Sequence, residues 1–103
     1  MAIDRVRVAL VEDDAGTRER LCLAVAQSPA LELVFAAATA GEIGAWLCDG
    51  RPEVLLVDLG LPDGSGFEVI ERCRQLAPGT EIMVITMFGD EANMIRAFEA
   101  GAR

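Results

Sequence analysis

The chain has 103 residues, 52% of them apolar, which suits one compact domain and excludes an intrinsically disordered segment. Seventeen acidic residues stand against nine arginines, with no lysine and no histidine, for a formal net charge of -8. A surface this acidic repels phosphate backbones, so direct nucleic-acid binding is excluded as a leading role, while a divalent cation or a basic partner suits it.

In chain order, the first apolar run is Val6–Val11, and the acids Glu12, Asp13 and Asp14 end it. An amphipathic stretch over residues 17–28 follows, with Leu21, Cys22 and Val25 on one face. The second run is Leu31–Ala37, and the alanine-rich 36–40 segment reads as a tight joint into a helix over residues 40–49. Thr39 and Glu42 have the spacing of a capping box at its start. The third run, 54–57, is ended by Asp58. Ser65 and Glu68 repeat the capping-box spacing ahead of a helix carrying Phe67, Ile70, Cys73 and Ala77, which Pro78 and Gly79 stop. The fourth run, 82–85, is ended by Thr86. A last helix is expected over residues 90–100, with Ile95 and Phe98 inward and Gly101 at its C-terminal end.

The strand runs are mostly apolar rather than alternating, as in parallel strands covered on both faces. Strand and helix alternate four times, which predicts a three-layer α/β fold. No run approaches the ~20 apolar residues that span a bilayer, and the N-terminus meets Asp4 and Arg5 at once, unlike a signal peptide. A cytoplasmic location without membrane contact is expected. Cys22, Cys48 and Cys73 have no C-x-x-C spacing and read as reduced, buried core thiols.

Every polar cluster falls at the carboxyl end of a strand, the edge at which open parallel sheets bind ligands. If the first and third strands are neighbours, Glu12, Asp13, Asp14 and Asp58 converge. Convergent carboxylates repel one another unless a cation joins them, and hard oxygen ligands favour Mg2+ or Mn2+. Taken singly, the acidic run reads as a solvated turn or helix cap, Asp58 as another cap and Thr86 as an ordinary strand-end threonine. Gly64-Ser65-Gly66 lacks the third glycine and the position of a dinucleotide loop.

Together these residues resemble a family. Val8-Ala9-Leu10-Val11-Glu12-Asp13-Asp14 resembles the opening acidic motif of response regulator receiver domains. The stretch from Leu55 through Asp58, Gly60 and Pro62 to Gly66 resembles their phosphoacceptor strand and loop. Val84-Ile85-Thr86 resembles the strand that carries a switch hydroxyl, and Ala97 to Ala102 resembles the lead-in to the last strand. The resemblance implies a flavodoxin-like (CheY-like) sandwich with strand order 2-1-3-4-(5). It implies that Asp58 is the phosphoacceptor and that Thr86 follows the phosphoryl group. It also implies Mg2+ or Mn2+ held by Asp13, Asp58, the Gly60 carbonyl and Glu12, the last directly or through water. Asp14 is not counted as a ligand; Met87 would line access to the site, and Pro62 and Gly66 would shape the loop. A sensor histidine kinase is the implied donor. The style of residues 78–103 is closest to NarL/FixJ (LuxR-type) regulators, whose DNA contact lies in a separate output domain.

One departure is large. The family's lysine follows the Gly-Ala of the last strand, and this sequence reaches Arg103 before that position. The expectation is a receiver domain over residues 1–103 that is incomplete at its C-terminus, without fifth strand, fifth helix or output domain. Such a chain is expected to accept phosphate slowly and to expose the fourth strand as an edge open to dimerisation or strand exchange. An aspartate-nucleophile phosphatase is the enzyme alternative; it needs a second aspartate two residues after the first, where this chain has Gly60. A pseudo-receiver that keeps the fold without phosphorylation is the binding-module alternative, which the acids and Thr86 oppose.

Overall fold

The computed structural model describes residues 5–58 and 66–85. The elements run β1 (Val6–Val11), α1 (Ala15–Gln27), β2 (Leu31–Ala37), α2 (Ala40–Leu47), β3 (Val54–Asp58), α3 (Gly66–Leu76) and β4 (Glu81–Ile85). The strands form one parallel sheet in the order β2-β1-β3-β4. The helix expected over residues 90–100 and Ser65 of the second capping box lie outside the described residues.

The pairing sorts the apolar residues onto two faces. Ala9 and Val11 align with Leu55 and Val57, and these with Ile82 and Val84. Partners in a parallel pair share a face while neighbours along a strand alternate. This face meets α2 and α3, and with Ile43, Leu47, Phe67, Ile70 and Cys73 it forms the main core. Val8 and Leu10 are also buried but point the other way, toward the layer in which α1 contributes its buried Val25. β1 is buried on both faces, which is why its second half carries no polar alternation, whereas Met83 of β4 is exposed on the α1 side.

Helix limits follow local chemistry. α1 starts earlier than its apolar periodicity indicates because Asp14 is the N-cap, its Oδ2 accepting the Thr17 N–H at 2.8 Å. α2 has the expected cap: Thr39 Oγ1 accepts the Glu42 N–H at 3.1 Å, and its hydroxyl donates to the Glu42 carboxylate at 3.3 Å. α2 stops short of residue 49 because its last turn tightens to i→i−3 bonds, the Cys48 N–H on the Ala45 carbonyl at 3.4 Å and the Asp49 N–H on the Trp46 carbonyl at 3.2 Å. Along β2 the register shifts opposite Val8 and Ala9, so Val34 is an extra residue, and Val34 and Phe35 both pack against the main core.

The cysteines depart from expectation. Cys73 is buried, Cys22 is half-buried and Cys48 is exposed. Cys48 is the C-cap of α2, one step past the inward-facing Leu47, so its Sγ donates to the Gly44 carbonyl at the helix end rather than entering the core.

The α2 turn creates a packing constraint. The Trp46 indole stacks on Phe35 with ring centroids 5.0 Å apart and planes 3° from parallel. A β-carbon at residue 50 would stand 2.6 Å from the indole, so Gly50 is required by close approach. Gly50→Ala is expected to displace the ring and to destabilise the fold by about 1–3 kcal/mol. Urea denaturation followed by the fluorescence of Trp46, the single tryptophan, checks this; an unchanged midpoint contradicts it.

Candidate functional site

The register of the two central strands builds the site. Val11 pairs with Val57, so the next residues, Glu12 and Asp58, stand side by side at the carboxyl end of the sheet. Asp58 closes β3, opposite Ile85 of β4. Asp13 follows in the loop between β1 and α1. One carboxylate oxygen each from Glu12, Asp13 and Asp58 come together within 4.8 Å. The sequence reading brought these three acids to one edge, and the structure brings them to one pocket.

Each of the three consecutive acids has a different environment. Glu12 is 3% exposed and is the buried charged residue of the described chain. Its Oε1 accepts the Asp14 N–H at 3.0 Å, while its Oε2 is buried with no hydrogen-bond donor. The carboxylates beside Oε2 are themselves acceptors, and closeness of that kind is favourable only with a proton or a cation between them. Asp13 is exposed. Asp14 caps α1, and its carboxyl is held below the usual aspartate range, first by the Thr17 N–H and hydroxyl and then by Arg20 and Arg18.

The Glu12 carboxyl is pushed up from 4.5 to about 7. Burial is the main cause; the Asp14 N–H opposes it, and the charge of Asp58 and the close carboxyls of Asp13 and Asp58 add to it. A buried oxygen without a donor, beside two further carboxylates, fits a small divalent cation with oxygen ligands. The acidic cluster is therefore arranged to hold a cation.

The loop also has a partner that the sequence reading missed. Arg18 of α1 reaches back, and its Nη1 donates to the Glu12 carbonyl at 3.0 Å and the Asp13 carbonyl at 3.5 Å. A basic residue in the first turn of a helix, where the dipole disfavours it, was the available signal. Thr86, Gly60, Pro62 and Met87 lie outside the described residues. Gly66 is the buried first residue of α3.

Comparison with known proteins gives a consistent picture. The model of the family described as response regulator receiver domain matches residues 8–103. The DNA-binding transcriptional activator DevR/DosR of Mycobacterium tuberculosis is 31% identical over 97 residues, covering 94% of this chain and 45% of that protein. A protein-glutamate methylesterase/protein-glutamine glutaminase of Anaeromyxobacter dehalogenans is 35% identical over 97 residues, covering 94% of this chain and 28% of that protein. The crystal structure of a LuxR-family two-component response regulator from Aurantimonas sp. superposes with a TM-score of 0.88 at 32% identity, covering 96% of this chain and 71% of that one. The chain spans less than half the length of the first curated relatives it matches. Among the described residues no helix is long and apolar enough to cross a membrane.

A pH dependence follows from Glu12. Its folded value of about 7 lies above the ordinary 4.5, so its contribution to stability is present below 4.5 and is lost as pH rises through 7. The urea midpoint of the metal-free chain, compared with that of Glu12→Gln, is expected to fall across this window, and saturating Mg2+ is expected to reduce the fall. A difference between the two proteins that is flat with pH contradicts this.

Proposed function

The chain belongs to the response regulator receiver domain family, and from that premise we propose that Asp58 accepts a phosphoryl group from the phosphohistidine of a sensor histidine kinase. The observation that carries the proposal is the meeting of the Glu12, Asp13 and Asp58 carboxylates within 4.8 Å at the end of β1 and β3. Mg2+, or Mn2+ in its place, would be held by Asp13, Asp58, the Gly60 carbonyl and Glu12, the last directly or through water. When bound, the cation supplies charge neutralisation for the carboxylates and for the incoming phosphoryl oxygens.

The chain's own residues then do the following. A carboxylate oxygen of Asp58 attacks phosphorus in line; the new P–O bond forms as the P–N bond to the donor imidazole breaks, and the electron pair leaves with that nitrogen. The product is an aspartyl phosphate, a labile and reversible mark. Thr86, which follows the β4 partner of Asp58 in sequence, donates its hydroxyl hydrogen to a phosphoryl oxygen and reports the phosphoryl group's arrival. The domain takes part in its own phosphorylation and turns over no separate substrate.

Phosphorylation would bias a two-state surface that controls an output module. DNA binding by a module outside residues 1–103 is the favoured output, supported by the likeness to a DNA-binding activator and to a LuxR-family regulator. Likeness to a methylesterase supports the alternative of an enzymatic output. A cytoplasmic location follows from a kinase donor of this kind.

Intact mass after incubation with acetyl phosphate and Mg2+ tests the acceptor. One phosphoryl group is expected on the chain, and none on Asp58→Asn. Equal labelling of the variant contradicts the assignment of Asp58.

Self-association along β4 is a second proposal, for which the specific support is Met83, 52% exposed on that strand. Among the described residues β4 pairs with β3 alone, and a strand at a sheet edge can template another. Sedimentation of the 103-residue chain is expected to show dimers that Met83→Lys weakens. A strictly monomeric chain at high concentration contradicts this.

A further inference from the structure

We propose that Arg18 is a positioning residue for the cation site, acting on the backbone that carries Asp13 rather than on the cation. The proposal rests on the reading of Glu12, Asp13 and Asp58 as that site, and it adds a residue from outside the carboxylate cluster. Three observations carry it.

First, the loop between β1 and α1 is short, and its backbone groups have few regular partners. Glu12 N–H donates to the Ala37 carbonyl of β2 at 3.0 Å, which fixes where the loop leaves the sheet. The carbonyls of Glu12 and Asp13 receive the Arg18 Nη1 at 3.0 and 3.5 Å. Second, the peptide unit between Asp13 and Asp14 is held at both ends. Its oxygen faces Arg18, and its N–H donates to Glu12 Oε1 at 3.0 Å. Because the peptide is planar, contacts at its oxygen and its hydrogen restrict its rotation about the neighbouring bonds, and this limits where the Asp13 Cβ points. Asp13 is exposed, so packing does little to place it and the backbone that carries it matters more.

Third, Arg18 stands where a cation is disfavoured. It lies in the first turn of α1, its own N–H making the bond to the Asp14 carbonyl at 2.8 Å. The positive end of the helix dipole is there. Helical side chains lean toward the N-terminus, and this lean lets the guanidinium reach two residues ahead of the cap. Two carbonyl oxygens and the nearby Asp14 carboxylate offset the dipole.

Positioning and simple charge predict opposite signs. A positive charge beside the pocket repels Mg2+, so if Arg18 acted only through its charge, removing it would tighten Mg2+ binding. If Arg18 holds Asp13 in place, removing it weakens binding, by the order of tenfold usual for groups that orient metal ligands.

The test is calorimetric titration of Mg2+ into the wild-type chain, Arg18→Ala, Arg18→Met (which keeps an apolar stem on α1 should the alanine variant fail to fold) and Arg18→Lys. Urea midpoints of the metal-free proteins are measured alongside. The expected result is a Mg2+ dissociation constant raised on the order of tenfold in Arg18→Ala or Arg18→Met, with partial recovery in Arg18→Lys, whose ammonium can reach a carbonyl. Unchanged or tighter Mg2+ binding in a folded neutral variant overturns the proposal, and a lowered midpoint with unchanged affinity does so as well. Failure of the wild-type chain itself to bind Mg2+ would instead overturn the reading of the carboxylate site.

Discussion

The pairing of β1 with β3 is the constraint on which the rest of the molecule depends. Because Val11 stands opposite Val57, the residue after each strand's last paired valine lands at the same height on neighbouring strands. Those residues are Glu12 and Asp58. The register is held by apolar burial on both faces: Ala9, Val11, Leu55 and Val57 toward α2 and α3, and Val8 and Leu10 toward the α1 layer. A slip of one residue would exchange the two sets and part the acids. The core therefore specifies the site, and the apolar residues of the strands have a functional consequence without touching a ligand.

The site itself stores repulsion. Glu12 is buried with one oxygen lacking a donor, and its neighbours are two more carboxylates. The fold tolerates this locally because the other oxygen of Glu12 accepts the Asp14 N–H. The remaining unfavourable charge raises the Glu12 carboxyl above its ordinary value. Three adjacent acids thus divide the work. Glu12 supplies a buried carboxyl, Asp13 an exposed one, and Asp14 turns the chain into α1 through its bond to Thr17. Arg18 ties this division together by meeting the carbonyls of the first two.

Much of this was legible in the residues. The parallel sheet follows from mostly apolar strands, three of which end in oxygen-bearing side chains; the strand order, and with it the meeting of the acidic run with Asp58, comes from the family resemblance and is what the pairing shows. The cap at Thr39 was legible because its partner Glu42 lies at a fixed spacing. The start of α1 was not, since Asp14 belongs to a run of acids in which any member could cap, and the apolar signal begins only at Leu21. The fate of Cys48 was hidden because it depends on where the last turn of α2 ends, which no residue pattern marks. Arg18 was hidden for a related reason: its partners are backbone carbonyls, which every residue carries and no sequence pattern marks. Thr86 reads as the polar end of the fourth strand, and Gly60 enters through family resemblance; both lie outside the described residues.

The central claim is that Glu12, Asp13 and Asp58 form one pocket in which a cation and a phosphoryl group meet. Beryllofluoride, a mimic of the acyl phosphate, probes that pocket without a kinase or an output. Fluorine NMR of the chain titrated with beryllofluoride is the most direct measurement. The account predicts a stoichiometric set of bound resonances that requires both Mg2+ and the Asp58 carboxylate. Binding that persists without either one, or no binding at saturating Mg2+, would contradict it.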